Sequence, residues 1–346
     1  MMNAAREFLF RYALQIVVLL LVVGVMAIVS PSFRGEAALF SSLERLIPLG
    51  VIAAGLAVTM IAGEFDLSIA SMAAFAGAVA VQLGGLGLIP SILIATVVGV
   101  LLGSLQGWVI ARLGISSLVF TVGTLILLRG ATWLATGGVP VTLTDYNLSD
   151  ALMVRIWVFT PLSLTTIAVL AILGIFLSRV RWGREIASIG GARQEAVASG
   201  VKLKSRLVLA FAISGGCGAL AGALSSFRGG SATPDGLANM LLLALAAVLI
   251  GGVSLTGGRG GMINVAFGIA ITAVLAAGMS SIGVKAFVTE LFTGALLLVV
   301  ILLEFVIAKV VAHKAVVRRR QPHAATVTEK PHDTGALRDA VTTMRA

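Results

Sequence analysis

The chain has 346 residues, of which 58% are apolar and 12% charged. A soluble globular domain carries about 25% charged residues to hold its surface in water, so this balance excludes an ordinary soluble fold, and the high apolar content excludes disorder. A net charge of +10 first suggests nucleic acid, but the positive residues lie between long apolar runs, as they do in membrane proteins, and no nucleic-acid partner is expected.

A spanning helix needs about 20 mainly apolar residues. Runs near that length fall at residues 12–29, 46–62, 68–84, 90–111, 117–136, 160–178, 207–226, 237–253, 261–283 and 287–311. They predict an all-α, polytopic integral membrane protein of about ten transmembrane helices, with residues 1–311 as the transmembrane domain. The break at 63–67 is short enough to read also as a re-entrant segment. The first run follows Arg6 and Arg11, like a signal peptide, but it is long and lacks a small-x-small cleavage site, so it reads as a retained helix.

An even number of spans puts both termini on one side. If that side is the cytoplasm, Arg34, Arg45, Arg155, Arg228 and Lys285 lie outside, Arg129 lies within a span, and every other Lys and Arg of the 25 lies inside, as the positive-inside rule requires. Residues 312–346 are polar, with Arg318, Arg319 and Arg320 in a row, and read as a disordered basic cytoplasmic tail. The spacing Gly99, Gly103, Gly107 and the pair Gly218, Gly222 predict close helix packing. Cys217 reads as a small packed residue. His313, His323 and His332 all lie beyond the last run, so no metal set is expected.

Segment 178–206 is too charged to cross a membrane. Its mixed polar and apolar residues predict two short amphipathic helices divided at Gly190 and Gly191. They would either lie on lipid headgroups or place their apolar side in a groove of a partner protein.

Polar groups within apolar runs usually face a cavity. The candidates are Asp66, Ser71, Gln82, Gln106, Thr121, Arg129, Asn239 and Asn264. Arg129, if isolated, would cost at least about 2.5 kcal/mol, so it either pairs inside the bundle or faces a wet passage. Asp66, ahead of Ser68, reads as a helix N-cap. Glu304 is expected to reach the cytoplasmic boundary.

The run from Trp182 to Val201, WGREIASIGGARQEAVASGV, resembles the cytoplasmic loop of ribose-type ABC sugar permeases, whose pattern is FGR-x-x-x-A-x-GGN-x-x-A-A-x-x-x-GI. Gly63 to Ser71, GEFDLSIAS, is similar to the family's GG-x-DLS-x-GS segment, and Gly251 to Gly260, GGVSLTGGRG, to its GGTSLSGGRG segment. Gln106 to Ile110 and Thr121 to Thr124 resemble its NG-x-x-I to TLGT stretch. The chain departs from the pattern at Ala192 for asparagine, Glu64 and Ala70 for glycine, and Leu241 and Leu243 where an acidic pair is frequent.

The resemblance implies the pore-forming subunit of a bacterial ABC importer in the inner membrane. Such a subunit pairs with a second permease subunit, identical or related, and receives a sugar from a periplasmic binding protein. A separate ATPase subunit drives it. The chain lacks a Gly-x-x-x-x-Gly-Lys-Ser/Thr loop, so it is expected to be no enzyme, to need no cofactor, and to leave ATP to the partner. The coupling residues implied are Arg184, Glu185, Gly190, Gly191, Glu195 and Gly200, with Arg184 and Glu185 in polar contact with the ATPase or simply solvated. The amides and hydroxyls among the passage candidates suit an uncharged, hydroxyl-rich monosaccharide. Permeases for branched-chain amino acids or nucleosides are similar in pattern and stand as the alternative, and a proton-driven secondary transporter is a further one.

Overall fold

The structure is a computed structural model that describes residues 12–155 and 157–320. The expected runs fall on helices α1 (Ala13–Val29), α2 (Glu36–Ile61), α3 (Ile69–Gln82), α4 (Leu88–Leu113) and α5 (Ser117–Thr136), followed by the short α6 (Asn147–Met153). Next come α7 (Pro161–Arg179), α8 (Arg181–Gly191), α9 (Arg193–Ala198), α10 (Leu203–Arg228), α11 (Met240–Ile250), α12 (Met262–Ser281) and α13 (Ala286–Arg320). Among the described residues, six helices are long and apolar enough to cross a membrane, namely α4, α5, α7, α10, α12 and α13 as far as Leu303, while α1, α11, α3 and the part of α2 from Pro48 are shorter apolar helices. The protein is thus a helical, multi-pass membrane protein.

Residues up to Ile301 form one compact unit. Its centre is α2, α3, α10 and α12, whose side chains are largely buried, whereas α4, α5, α7 and the first part of α13 turn large apolar side chains outward. An apolar exterior of this kind suits lipid or other membrane chains rather than water.

Glycine permits the closest packing in this bundle. A Cβ on Gly103 would stand 3.1 Å from the Gly215 Cα and against the Phe211 carbonyl, and one on Gly107 would stand 2.8 Å from the Phe211 Cβ. The predicted glycine row on α4 therefore lies backbone to backbone on α10. On the other side of α10, a Cβ on Gly218 would stand 2.8 Å from the Ile69 carbonyl of α3. Such contacts replace the water-driven packing that helices lose in lipid. Cys217 is buried within α10, as its apolar surroundings predicted.

Several boundaries differ from the hydropathy reading. Helix α2 begins at Glu36 rather than near 46, because the charges that marked a break are accommodated: the buried Glu44 carboxylate pairs with Arg228 and accepts a 2.6 Å hydrogen bond from the Thr160 hydroxyl. The chain is not wholly helical either. Strands β1 (Val141–Thr142) and β2 (Ser231–Ala232) pair antiparallel, tying the loop after α5 to the end of α10. Helix α13 continues through Arg320, past the expected boundary at 311, since residues 312–320 contain neither Gly nor Pro and their Lys, Arg and Ala are good helix formers. The remainder of the expected tail, residues 321–346, lies outside the described residues, as do Arg6, Arg11 and the side chain of Glu304.

Helices α2 and α11 end alike. After α2 the amides of Gly63 and Glu64 donate to the carbonyls of Met60 and Thr59, at 2.9 Å each. After α11 the amides of Gly252 and Val253 donate to Leu249 and Val248, at 2.9 and 3.2 Å. Gly63 (φ 78°) and Gly252 (φ 89°) hold the left-handed position that this helix stop requires. The same hook thus recurs at two places, after α2 and after α11.

Candidate functional site

The segments that carry the resemblance meet at one end of the bundle. Helix α8 turns back from α7 at Gly183, whose Cα lies close enough that a Cβ would stand 2.6 Å from the Leu177 Cα. Its Ile186 and Ile189 are fully buried in the main core, each adding about 1.5–3 kcal/mol of apolar burial. Only the opposite face, with Trp182, Arg184 and Ser188, is exposed. This corrects both expectations for the apolar side, lipid headgroups and a partner's groove, because that side is already covered by α2, α7 and α10 of the same chain.

The break between the two short helices falls at Ala192, next to the predicted Gly190 and Gly191. Gly190 rests against the Ile61 carbonyl, and a Cβ there would also stand 2.6 Å from the Gly258 nitrogen. The Gly258 amide in turn donates to the Ile61 carbonyl at 2.9 Å. A Cβ on Gly257 would stand 2.7 Å from the Gly63 Cα. Three backbone segments, the hook after α2, the end of α8 and the loop after α11, therefore touch with no side chain between them.

Ion pairs frame this junction. Glu64 pairs with Arg193 of α9. Glu185 accepts from Arg181 at 2.7 Å and from Arg206 of α10, and the Arg206 guanidinium lies 5.2 Å from the centre of the Trp182 ring. The Arg206 hydrogen bond first, and then that of Arg181, hold the Glu185 carboxyl below the usual carboxylate range. A lowered pKa means that these pairs are complete above the ordinary glutamate pKa of about 4.3 and are lost only as pH falls through the lower folded value. Glu185, with 12% of its side chain exposed, is thus engaged within the chain, whereas Arg184 is exposed and donates to the Arg179 carbonyl at 2.7 Å. Glu195 is exposed in α9, and Gly200 (φ 86°) takes the left-handed turn that leads from α9 toward α10.

Beneath the junction lies a buried polar network. One Asp66 oxygen accepts from the Ser68 amide (3.1 Å), the Ser68 hydroxyl (2.6 Å) and the Gln106 amide (3.1 Å). The other accepts from Ser214 of α10 at 2.7 Å. The Phe65 and Leu67 amides donate to the Ser117 and Thr121 hydroxyls of α5, each at 3.2 Å. Asp66, Ser68, Gln106, Thr121 and Ser214 are all buried. Asp66 is therefore not the cap expected from the sequence, since Ser68 takes that position ahead of α3, without a side-chain cap bond; it joins α4, α10 and the loop ahead of α3, and the network leaves it no free face for a passing solute.

The remaining passage candidates are scattered. Asn264 donates to the Gly251 carbonyl at 2.9 Å, and Gln82 to the Ala135 carbonyl at 2.6 Å. Ser71 is half-buried in α3, and Asn239 is exposed ahead of α11. Arg129 is paired, at 2.8 Å, with Asp235, both side chains being about half exposed (56% and 46%). The bundle-buried arginine is thus a surface ion pair. Such pairs contribute about 0.2–1 kcal/mol, so Arg129→Leu, Asp235→Leu and the double variant are expected to melt in detergent within that range of wild type. A double-mutant coupling above about 1 kcal/mol would show a buried role instead.

At the opposite end of the bundle is a cavity of about 680 Å³ whose lining includes Phe40, Glu44, Arg228, Thr272, Thr289 and Glu290. None of these residues stands out in the sequence. Glu44 and Arg228 lie at the edges of apolar runs, where charges ordinarily mark only the membrane boundary, and no spacing rule pairs them.

The comparisons with known proteins point the same way. A family model described as branched-chain amino acid transport system / permease component matches residues 38–301. The ribose import permease protein RbsC of Bacillus subtilis (strain 168) is 29% identical over 83% of this chain and 90% of its own length. The L-arabinose transport system permease protein AraH of Escherichia coli (strain K12) is 30% identical over 74% of this chain and 78% of its own, and the autoinducer 2 import system permease protein LsrD of Escherichia coli (strain SMS-3-5 / SECEC) is 29% identical over 82% and 88%. No solved structure matches. With the motif segments joined at one face of an apolar bundle and the family model covering residues 38–301, this chain belongs to the branched-chain amino acid transport system / permease component family and is an ABC transporter permease subunit, not itself an enzyme.

Proposed function

We propose that this chain is the membrane-spanning subunit of a bacterial inner-membrane ABC importer for a monosaccharide, a pentose or similar simple sugar. The observation that carries the reading is the junction of Gly63, Gly190 and Gly258. It seats α8 on the ends of two central segments, so that a push on α8 reaches both. In this reading the ten apolar helices cross the membrane, both termini are cytoplasmic, and α8 and α9 meet a separate ATPase. The 680 Å³ cavity then opens toward the periplasm, where a binding protein delivers the sugar, and a second permease subunit, identical or related, completes the pore. The sugar names of the relatives RbsC and AraH favour this substrate class over an amino acid.

The coupling residues are Arg184, Glu185, Gly190, Gly191, Glu195 and Gly200, and Arg184 is the exposed cation among them that faces the ATPase. Arg184→Ala is expected to lower binding-protein-stimulated ATPase activity at least about tenfold, the effect of losing roughly 1.4 kcal/mol at an interface, with an unchanged melting temperature. Unchanged stimulation rejects the role. The decisive experiment is affinity purification of the full chain with its bound ATPase. The assay then adds sugar-loaded binding proteins, ribose and L-arabinose first. Stimulated hydrolysis supports the reading. Uptake that follows a proton gradient, with no ATPase recovered, overturns it in favour of a secondary transporter.

A further inference from the structure

A second groove, of about 920 Å³, runs between α7 and α12 beneath α8. Its floor is made of small or apolar groups, among them Gly174, Leu177 and Met262, and its rims carry the exposed Ile175 and Ile263. Helix α7 has 19 residues, about 28 Å at 1.5 Å per residue, close to the roughly 30 Å hydrocarbon core. Arg179, its last residue, therefore stands at headgroup depth, exposed at the mouth of the groove and, among the described residues, with no carboxylate partner. An apolar slot along a spanning helix, open at the side and closed by a lone guanidinium at the interface, has the chemistry of one kind of ligand.

We propose that this groove holds an anionic phospholipid, its acyl chain along α7 and α12 and its phosphate on Arg179. The planar guanidinium matches phosphate geometry, and basic pockets between spanning helices suit such headgroups. Ala187 of α8 also lines the groove, so the bound lipid supports the underside of that helix. The proposal rests on the membrane-spanning reading and not on the coupling one, and it is tested on the chain alone.

The test is native mass spectrometry of the full chain in detergent with phosphatidylglycerol, phosphatidylcholine of the same acyl chains, and glycerol 3-phosphate. The wild type is expected to retain phosphatidylglycerol about fivefold over phosphatidylcholine, the preference one cation supplies at an interface, and to retain no glycerol 3-phosphate. Arg179→Gln is expected to lose the preference but keep both lipids. Ala266→Phe and Ala171→Phe, which fill the groove from exposed positions, are expected to lose both lipids, and either one suffices if the other fails to fold. Equal retention of the two lipids by wild type overturns the proposal. Retention unchanged in the groove-filling variants, or capture of glycerol 3-phosphate alone, does so too.

Discussion

Gly190→Ala is expected to leave almost no folded, monodisperse protein after extraction, whereas Gly191→Ala is expected to yield wild-type amounts. The two glycines are neighbours with different surroundings. A Cβ on Gly190 meets the Ile61 carbonyl and the Gly258 nitrogen, both main-chain atoms of other segments, while one on Gly191 meets the Gly258 Cα at an ordinary 3.6 Å. Overpacking usually costs about 1–3 kcal/mol because side chains yield, and here the facing groups are backbone held by its own hydrogen bonds. The cost therefore falls at or beyond the upper end of that range. Gel-filtration yield and melting temperature in detergent give the comparison. Equal behaviour of the two variants would mean that the segments do not close on one another.

Asp66→Ala is the second large effect. It leaves the Ser214 hydroxyl, the Ser68 amide and the Gln106 amide without their carboxylate, although the Ser68 hydroxyl keeps the Gln106 oxygen at 3.1 Å, and each buried donor left unpaired costs about 1–3 kcal/mol. The variant is expected to melt far below wild type or not to fold. Adding Ser214→Ala is expected to cost less than the sum of the two single changes, because they share one hydrogen bond. Were Asp66 instead a free contact for the transported sugar, Asp66→Ala would melt normally and only uptake would fall.

Much of the architecture was legible in the residues. Ten apolar runs coincide with ten apolar helices, and the glycine spacing on α4 and α10 placed a contact that the structure contains. What misled was the reading of charge and amphipathicity one element at a time. Glu44 broke a run in the sequence, yet Arg228 and Thr160, far along the chain, neutralise it within a continuous α2. The apolar side of α8 pointed to lipid headgroups or to a partner, yet α2, α7 and α10 already cover it. Arg129 called for a partner, but its sequence neighbours could not name Asp235, which lies 106 residues further along the chain in the loop ahead of α11. The candidate site was visible only as separate motifs. That Asp66, Gln106 and Thr121 share one network, beside the glycines of two other motifs, is a fact of the third dimension that no single-sequence pattern carries.

The Glu64 to Arg193 pair has one more consequence. This chain holds the loop after α2 to α9 by opposite charges, with 11% of the glutamate and 45% of the arginine side chain exposed. Ions in the surrounding solution reach such a contact. Salt screens exposed charges most and a partly buried contact pair much less, so the hold between these segments weakens only slightly as ionic strength rises. A neutral residue at position 64 would hold this joint with no such dependence on salt.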